Sequence, residues 1–248
     1  MKLKKNILFP LIIPVIIIVI WIIGTAILKL VPTYVVPDPL TVISSAEELI
    51  FSGLLFKDTV DTLFKVILGL VLAAIVAIPC GILLGWSEKL EELSKIVVGI
   101  LRPIPPVAWI PFSILWFGIG TAPAIFIIFM GSVFPILIYT IDGVKRTDKV
   151  LIEAGETLGA SNFQTLTKII FPAAIPTIVS GLKVAVGIGL MCTVSAEMIA
   201  SDSGLGHLII NASNLFDTGA TVVGMITIGL IGLVFDFIFR KAEDKIFW

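Results

Sequence analysis

The sequence predicts an all-α, polytopic membrane protein of about six transmembrane helices, one domain over 1–248, with a pair of short cytoplasmic helices set into it at 142–172. Three observations carry this. Hydrophobic residues make up 58% of the chain and charged ones 14%, with mean hydropathy +1.13, which leaves too little polar surface to coat a soluble core. Apolar runs longer than about 18 residues recur from end to end, each long enough to cross a bilayer as helix. One long segment, 142–172, interrupts that texture with a dense set of charges. The formal net charge of −1 gives no sign of a nucleic-acid partner.

The elements follow in order. Lys2, Lys4 and Lys5 precede an apolar run from Ile7 to Leu28. A secretory leader has an apolar region of roughly 7–15 residues ending at a small-residue cleavage site. This run is longer and leads into Lys29, so it reads as an uncleaved first span with a cytoplasmic N-terminus. Pro32, Pro37 and Pro39 make extended connections, and Thr41 to Phe51 reads as a short interfacial helix. The second span, Thr59 to Trp86, carries Gly69, Ala73, Ala77, Gly81 and Gly85 at every fourth position, a row of small side chains that lets another helix backbone approach closely. Each four-residue step overshoots a full turn by about 40°, so the row winds around the helix.

Four prolines then fall within 103–111, in the run RPIPPVAWIP. Each removes a backbone donor and crowds the preceding turn, so this stretch cannot be regular interior helix. It reads as a loop at the cytoplasmic entry of span three, with helix from about Val107 to Phe117. Irregular backbone at membrane depth is tolerated where protein or a water-filled cavity surrounds it, so the same segment is expected to border a translocation route. Residues 118–122 make a tight hairpin. Span four runs from Pro123 to Ile141, span five from Ala173 to Ala200, and span six from Gly219 to Phe239, with Ser201 to Thr218 an outer polar loop.

Charge placement orients the bundle. Lysine and arginine gather at the N-terminus, between spans two and three (Lys89, Lys95, Arg102), in the central segment (Lys145, Arg146, Lys149, Lys168) and at the C-terminus (Arg240, Lys241, Lys245). With about six spans these regions share one side, and positive charge marks the cytoplasmic face. Both termini and segment 142–172 are therefore expected in the cytoplasm, and the chain in the cell membrane.

Inside that segment Val150, Leu151, Ala154 and Leu158 fall at one-face helical spacing, as do Phe163, Leu166, Ile169 and Ile170 after Gly159. Gly159 can take the left-handed conformation that closes a helix. Ser161 with Gln164 three residues on has the form of a capping box that starts the next one. An apolar stripe on a charged connector must pack on something: its own span ends, a partner, or both.

The run Glu153-Ala154-Gly155, Gly159, Ile169, Phe171-Pro172 resembles the "EAA" loop of permease subunits in binding-protein-dependent ABC importers, with Gly155 where the family has alanine and Phe171 where leucine is usual. The text from RPIPPVAWIPFSILWFGIG to AEMIASDSGLGHLI is similar to the nitrate, sulfonate, taurine and bicarbonate branch. The resemblance implies a type I importer permease that forms the path for a small solute, such as nitrate, a sulfonate or taurine. It implies two ABC ATPase subunits that bind ATP and Mg, a second permease copy, most simply as a homodimer, and an external substrate-binding protein. It places Glu153, Ala154, Gly155, Leu158, Gly159, Ala160, Ser161 and Phe163 in the coupling loop that docks on the ATPase.

The chain has no Gly-Lys-Ser/Thr phosphate loop, no nucleophile-and-base set and no metal-ligand spacing, so it is not expected to be an enzyme or to bind a cofactor itself. Cys80, Cys192 and the loop residue His207 read as packing and solvated positions. The expected pathway wall is Pro105, Pro106, Trp109, Pro111, Met191 and Glu197. Glu197, the carboxylate placed deepest, is read either as a pathway group or as a side chain that reaches the outer interface or caps loop backbone around Ser201 to Gly204, and the second reading is favoured. Asp236 is one turn before Arg240 and fits a local pair, and Lys183 is expected to reach back to the cytoplasmic interface. The competing class, an ion-coupled secondary transporter without an ATPase, predicts matched halves with broken helices or paired acids, and neither is evident.

Overall fold

The computed structural model describes residues 12–28 and 30–246. The lysines at 2, 4 and 5, the start of the first apolar run and Lys29 lie outside the described residues. Among those described, every regular element is helical. In chain order they are α1 (Ile12–Ile22, extended by a π turn over Ile23–Ile27), α2 (Pro39–Phe51), α3 (Leu54–Trp86), α4 (Glu88–Leu101), a 3-10 turn (Pro106–Trp109) leading into α5 (Ile110–Phe117), α6 (Thr121–Lys145), α7 (Lys149–Thr157), α8 (Asn162–Ala200), α9 (Leu205–Asn214) and α10 (Thr218–Ile246).

Of the described helices, α3, α6, α8 and α10 are long and apolar enough to span a bilayer. The first span is represented by a shorter apolar helix, Ile12–Ile27. The third has a feature the sequence reading does not include: the stretch before the prolines is itself a helix, α4, which meets the 3-10 turn and α5 at a bend of 82°. Proline chemistry explains the break. Pro103, Pro105 and Pro106 cannot donate to a continuing helix, and the chain restarts with Pro106 in the first position of the 3-10 turn.

The centre of the fold is α6, packed along its length against α3 and α8. The small-residue row of α3 makes this possible. A Cβ on Gly69 would stand 2.6 Å from Ile128, one on Gly81 2.6 Å from Thr140, and one on Gly85 2.7 Å from Val144. Ala73 and Ala77 between them are fully buried. The α6 partner advances in step with the glycine, so α3 and α6 run parallel, and a row that winds on α3 stays on one neighbour because the helices wind about each other. The pairing of α8 is the reverse: Gly131 lies under Cys192, and Gly181 under Tyr139. Parallel α3 and α6 force a conclusion about the bent pair. The end of α3 and the start of α6 lie at opposite ends of the bundle, so 87–120 must recross its thickness despite the bend.

Leucine at Gly81 is expected to push α6 away and cost about 1–3 kcal/mol through overpacking. Leucine at Gly99, where a Cβ would meet nothing within 4 Å, should be neutral. Thermal midpoints of the two variants in detergent check this.

The outer polar loop is a second departure from expectation. Its middle forms α9, whose Leu205, Gly206, Leu208, Ile209 and Ala212 are buried against α8, α10 and α3. His207 accordingly lies on a helix, within 2.7 Å of the Asn211 amide. Asp236 does pair with Arg240 at 2.6 Å, and Lys183 reaches Glu243 at 3.0 Å. Cys192 is buried, whereas Cys80 is exposed on α3.

Candidate functional site

Two sets of polar residues lie at opposite ends of the bundle, with a cavity between. The first is the segment after α6. Asp148 accepts a hydrogen bond from the Val150 amide at 2.9 Å and starts α7. Leu158 ends it, and Gly159 follows at φ +79°, the left-handed region a Cβ disfavours. There the Gly159 amide donates to the Glu156 carbonyl at 2.9 Å and the Ala160 amide to that of Gly155 at 3.0 Å, satisfying two of the open helix carbonyls. Ser161 and Gln164 form a reciprocal capping box: the Ser161 amide donates to Gln164 Oε1 at 2.9 Å, and the Gln164 amide to Ser161 Oγ at 3.4 Å. The second short helix does not end at Pro172. Through a π turn over Leu166–Ile170 it runs directly into the span, so α8 is continuous from Asn162 to Ala200.

The two apolar stripes divide. Ile170 is buried with Val144, Ala174 and Ile178, and Ile152 and Leu166 pack against that cluster. Gly155 is buried beneath Ile169, so α7 rests on the root of α8 through Ile152 and Gly155. Val150, Leu151, Leu158 and Phe163 stay outside; Leu158 is 88% exposed and Phe163 74%. Glu153 and Ala154 are exposed beside them, and Ala160 is half-buried. A Cβ at position 155 would meet the movable end of the Ile169 side chain and no backbone, so Gly155→Ala should change stability by less than about 1 kcal/mol, the helix propensity gain offsetting the contact. Solute uptake by that variant is expected to equal the parent's.

The second set lies mostly outside what the sequence alone announces. Glu197, fully buried on α8, faces Lys65 of α3 at 3.0 Å, and both side chains are almost completely enclosed. Thr62 donates to both Glu197 oxygens at 3.0 Å, and the Gly206 amide donates to Oε2 at 2.9 Å. Lys65 also donates to Ser201 Oγ at 2.9 Å and to the Ser203 carbonyl at 2.6 Å. The Gly204 amide donates to Asp58 at 3.1 Å and the Leu205 amide to Thr62 at 2.8 Å. Three successive amides at the start of α9 are thus capped by side chains from two other helices. Gly204 and Gly206 press directly on the Glu197 side chain, where a Cβ on either would collide. Glu197 therefore does cap backbone, at the Gly206 amide, two residues beyond the stretch from Ser201 to Gly204 that the capping reading names. Asp58, Thr62 and Lys65 share one α3 face, three and four residues apart, and that spacing inside an apolar run was the available sequence signal.

Between these ends lies a cavity of about 330 Å³ bounded by Arg102, Ile104, Pro106, Phe134, Tyr139 and Ile188 among others. Of the residues expected in a pathway wall, Pro106 lines it. Trp109 packs nearby against the cluster of Ile110, Ala124, Ile127 and Cys192, its indole nitrogen buried without a hydrogen-bond partner among the described residues. Pro105, Pro111 and Met191 are exposed on the outside of the chain, and Glu197 is enclosed in the ion cluster, away from the cavity wall.

Over residues 69–247 the chain matches the family described as binding-protein-dependent transport system inner membrane component. The chain belongs to that family. It is 48% identical over 197 residues to a protein of Methanocaldococcus jannaschii named as an ABC transporter permease, covering 79% of this chain and 74% of the relative. An aliphatic sulfonates transport permease of Bacillus subtilis is 34% identical over 237 residues, 95% and 85% of the two chains. The taurine transport system permease of Escherichia coli is 31% identical over 192 residues, 77% and 70%. The fold matches a chain of the inward-facing MetNI methionine ABC transporter at a TM-score of 0.72 and 19% identity, over 80% of this chain and 98% of that one. This permease is the membrane-spanning subunit of an ABC importer, a multi-pass transport protein and not an enzyme, which works with a separate ATPase and a binding protein.

Proposed function

We propose that two copies of this permease stand side by side over two ATPase chains, which bind ATP and Mg, while this chain binds no cofactor. The segment from Glu153 to Phe163 is the surface the ATPase grips, with Glu153, Ala154, Gly155, Leu158, Gly159, Ala160, Ser161 and Phe163 forming or shaping it. The observation that carries this reading is the exposure of Leu158 and Phe163 on a rigidly capped turn. Exposed apolar side chains on a charged connector cost free energy in water, and a protein groove would cover them.

Lys145, Arg146, Lys149 and Lys168 around that turn support a cytoplasmic position, with both termini on the same side. The external binding protein delivers to the opposite end, where α9 lies. Nucleotide-driven closure of the ATPases then rocks the spans between outward and inward access. The pathway passes Pro105, Pro106, Trp109, Pro111 and Met191, with Glu197 bracing its outer end. The relatives' names, which specify sulfonates, taurine and nitrate, support a small solute that carries an oxyanion group.

Copurification tests the assembly. The tagged permease should retain an ATPase, and the purified complex should hydrolyse ATP. A cysteine at Leu158 should cross-link to the ATPase, and one at Leu215, exposed beyond α9, should not. Uptake that follows an ion gradient with nucleotide exhausted would overturn the reading.

A further inference from the structure

We propose that the cavity between α6, α8 and the proline break is a transit site for a small organic anion, and that Arg102 supplies its counter-charge. This rests on the importer reading above and adds to it the place and the residue that select the solute.

Four observations converge. The cavity, about 330 Å³, is of the size that holds a small organic molecule. Its wall is apolar apart from Arg102 and Tyr139, and among the described residues no carboxylate lines it. Several basic groups near the inner ends of the spans are held by acids: Lys145 by Glu91 at 2.6 Å, Arg146 by Asp142 at 2.8 Å, Arg240 by Asp236 at 2.6 Å and Lys183 by Glu243 at 3.0 Å. Arg102 has no ion pair or side-chain hydrogen bond among the described residues, although Glu88, Glu91 and Glu92 line the neighbouring groove it also borders. The Tyr139 hydroxyl likewise has no hydrogen-bond partner among them.

A wall with two open donors, one of them a permanent cation, and no acceptor side chain of opposite charge suits a ligand that brings the acceptors itself. Guanidinium presents a planar fork that matches the oxygens of a sulfonate or carboxylate. The apolar remainder, with Ile104, Phe134 and Ile188, accommodates a short carbon chain. The backbone break places Arg102 here: it caps α4, and the prolines that follow turn the chain by 82° into α5.

A charge-selective thiol reaction tests this without knowledge of the natural solute. In a chain carrying Cys80→Ser and Cys192→Ala, a single reporter, Ile138→Cys, is placed in the cavity wall, and the whole transporter is kept in native membrane vesicles. Modification rates are measured with an anionic sulfonatoethyl and a cationic trimethylammonioethyl methanethiosulfonate. With Arg102 present, the anionic reagent should be favoured relative to its ratio on a free thiol. R102Q should lower that preference about tenfold, as expected for one unit charge several ångströms away in a partly screened site, and R102K should keep most of it.

Ethanesulfonate in the millimolar range should slow the reaction in the parent and not in R102Q, and ethanol should have no effect in either. An unchanged rate ratio in R102Q overturns the proposal, as does protection by ethanol equal to that by ethanesulfonate. So does a reporter that neither reagent reaches, with or without nucleotide, when a second at Val184 gives the same result. The readout needs no ATP turnover, so a permease that failed the copurification test would still report on Arg102.

Discussion

Glu197→Ala is expected to destabilise the permease by about 3–5 kcal/mol, the range for removing one partner of a buried ion pair. Most of that cost comes from what is left behind. Lys65 would be left in an enclosed site with Ser201 and the Ser203 carbonyl as its remaining partners, and the Gly206 amide would lose its acceptor. Lys65→Met should be comparably harmful, because it strands the Glu197 carboxylate. The double variant Lys65→Met with Glu197→Gln removes both charges while the glutamine carbonyl can still take the Gly206 amide. It should therefore be milder than the separate losses of Lys65→Met and Glu197→Gln added together by at least about 1 kcal/mol, as expected for side chains in direct contact. Thermal midpoints from size-exclusion profiles after heating in detergent measure the set. Additive losses, or single variants as stable as the parent, would show that the cluster is not an energetic unit.

Gly159→Val should insert into the membrane normally and lose ATP-driven uptake down to background. A Cβ at this position meets nothing within 4 Å, so the lesion is in the backbone and not in packing. A β-branched residue at φ +79° pays at least about 1–2 kcal/mol and relieves it by leaving the left-handed region. That swings Leu158 and Phe163 out of their relation to each other, while the span contacts of α6 and α8 are untouched. Asparagine tolerates the left-handed region, so Gly159→Asn should retain most of the uptake. Membrane abundance and solute uptake, measured together on both variants, separate a coupling defect from a folding one. Full uptake by the valine variant would remove Gly159 from the coupling role.

What could be read in the chain beforehand was what neighbours in sequence decide. Gly159, the Ser161 and Gln164 capping box and the small-residue row of α3 are local devices, and each appears in the fold where its spacing placed it. The helix of α9 was hidden because its stabilising partners, Asp58 and Thr62, lie more than a hundred residues earlier. Lys65 is silent for the same reason: inside an apolar run nothing adjacent announces that Glu197 will meet it. The stripe on α7 is legible as apolar, but which of its members face the span root depends on where α8 leans, and that is a tertiary outcome. The bend between α4 and α5 was half legible, since the prolines mark the break but not its angle.

The unbroken course of α8 sets a mechanical relation between the two ends of the molecule. At about 1.5 Å per residue its 39 residues make a rod of roughly 58 Å, with Phe163 at one tip and Glu197 near the other. Such a rod has little slack, apart from the π turn at its foot and the kink Pro176 allows. Tilting the foot must displace the tip in the opposite sense, and α9, tethered to that tip, is carried with it.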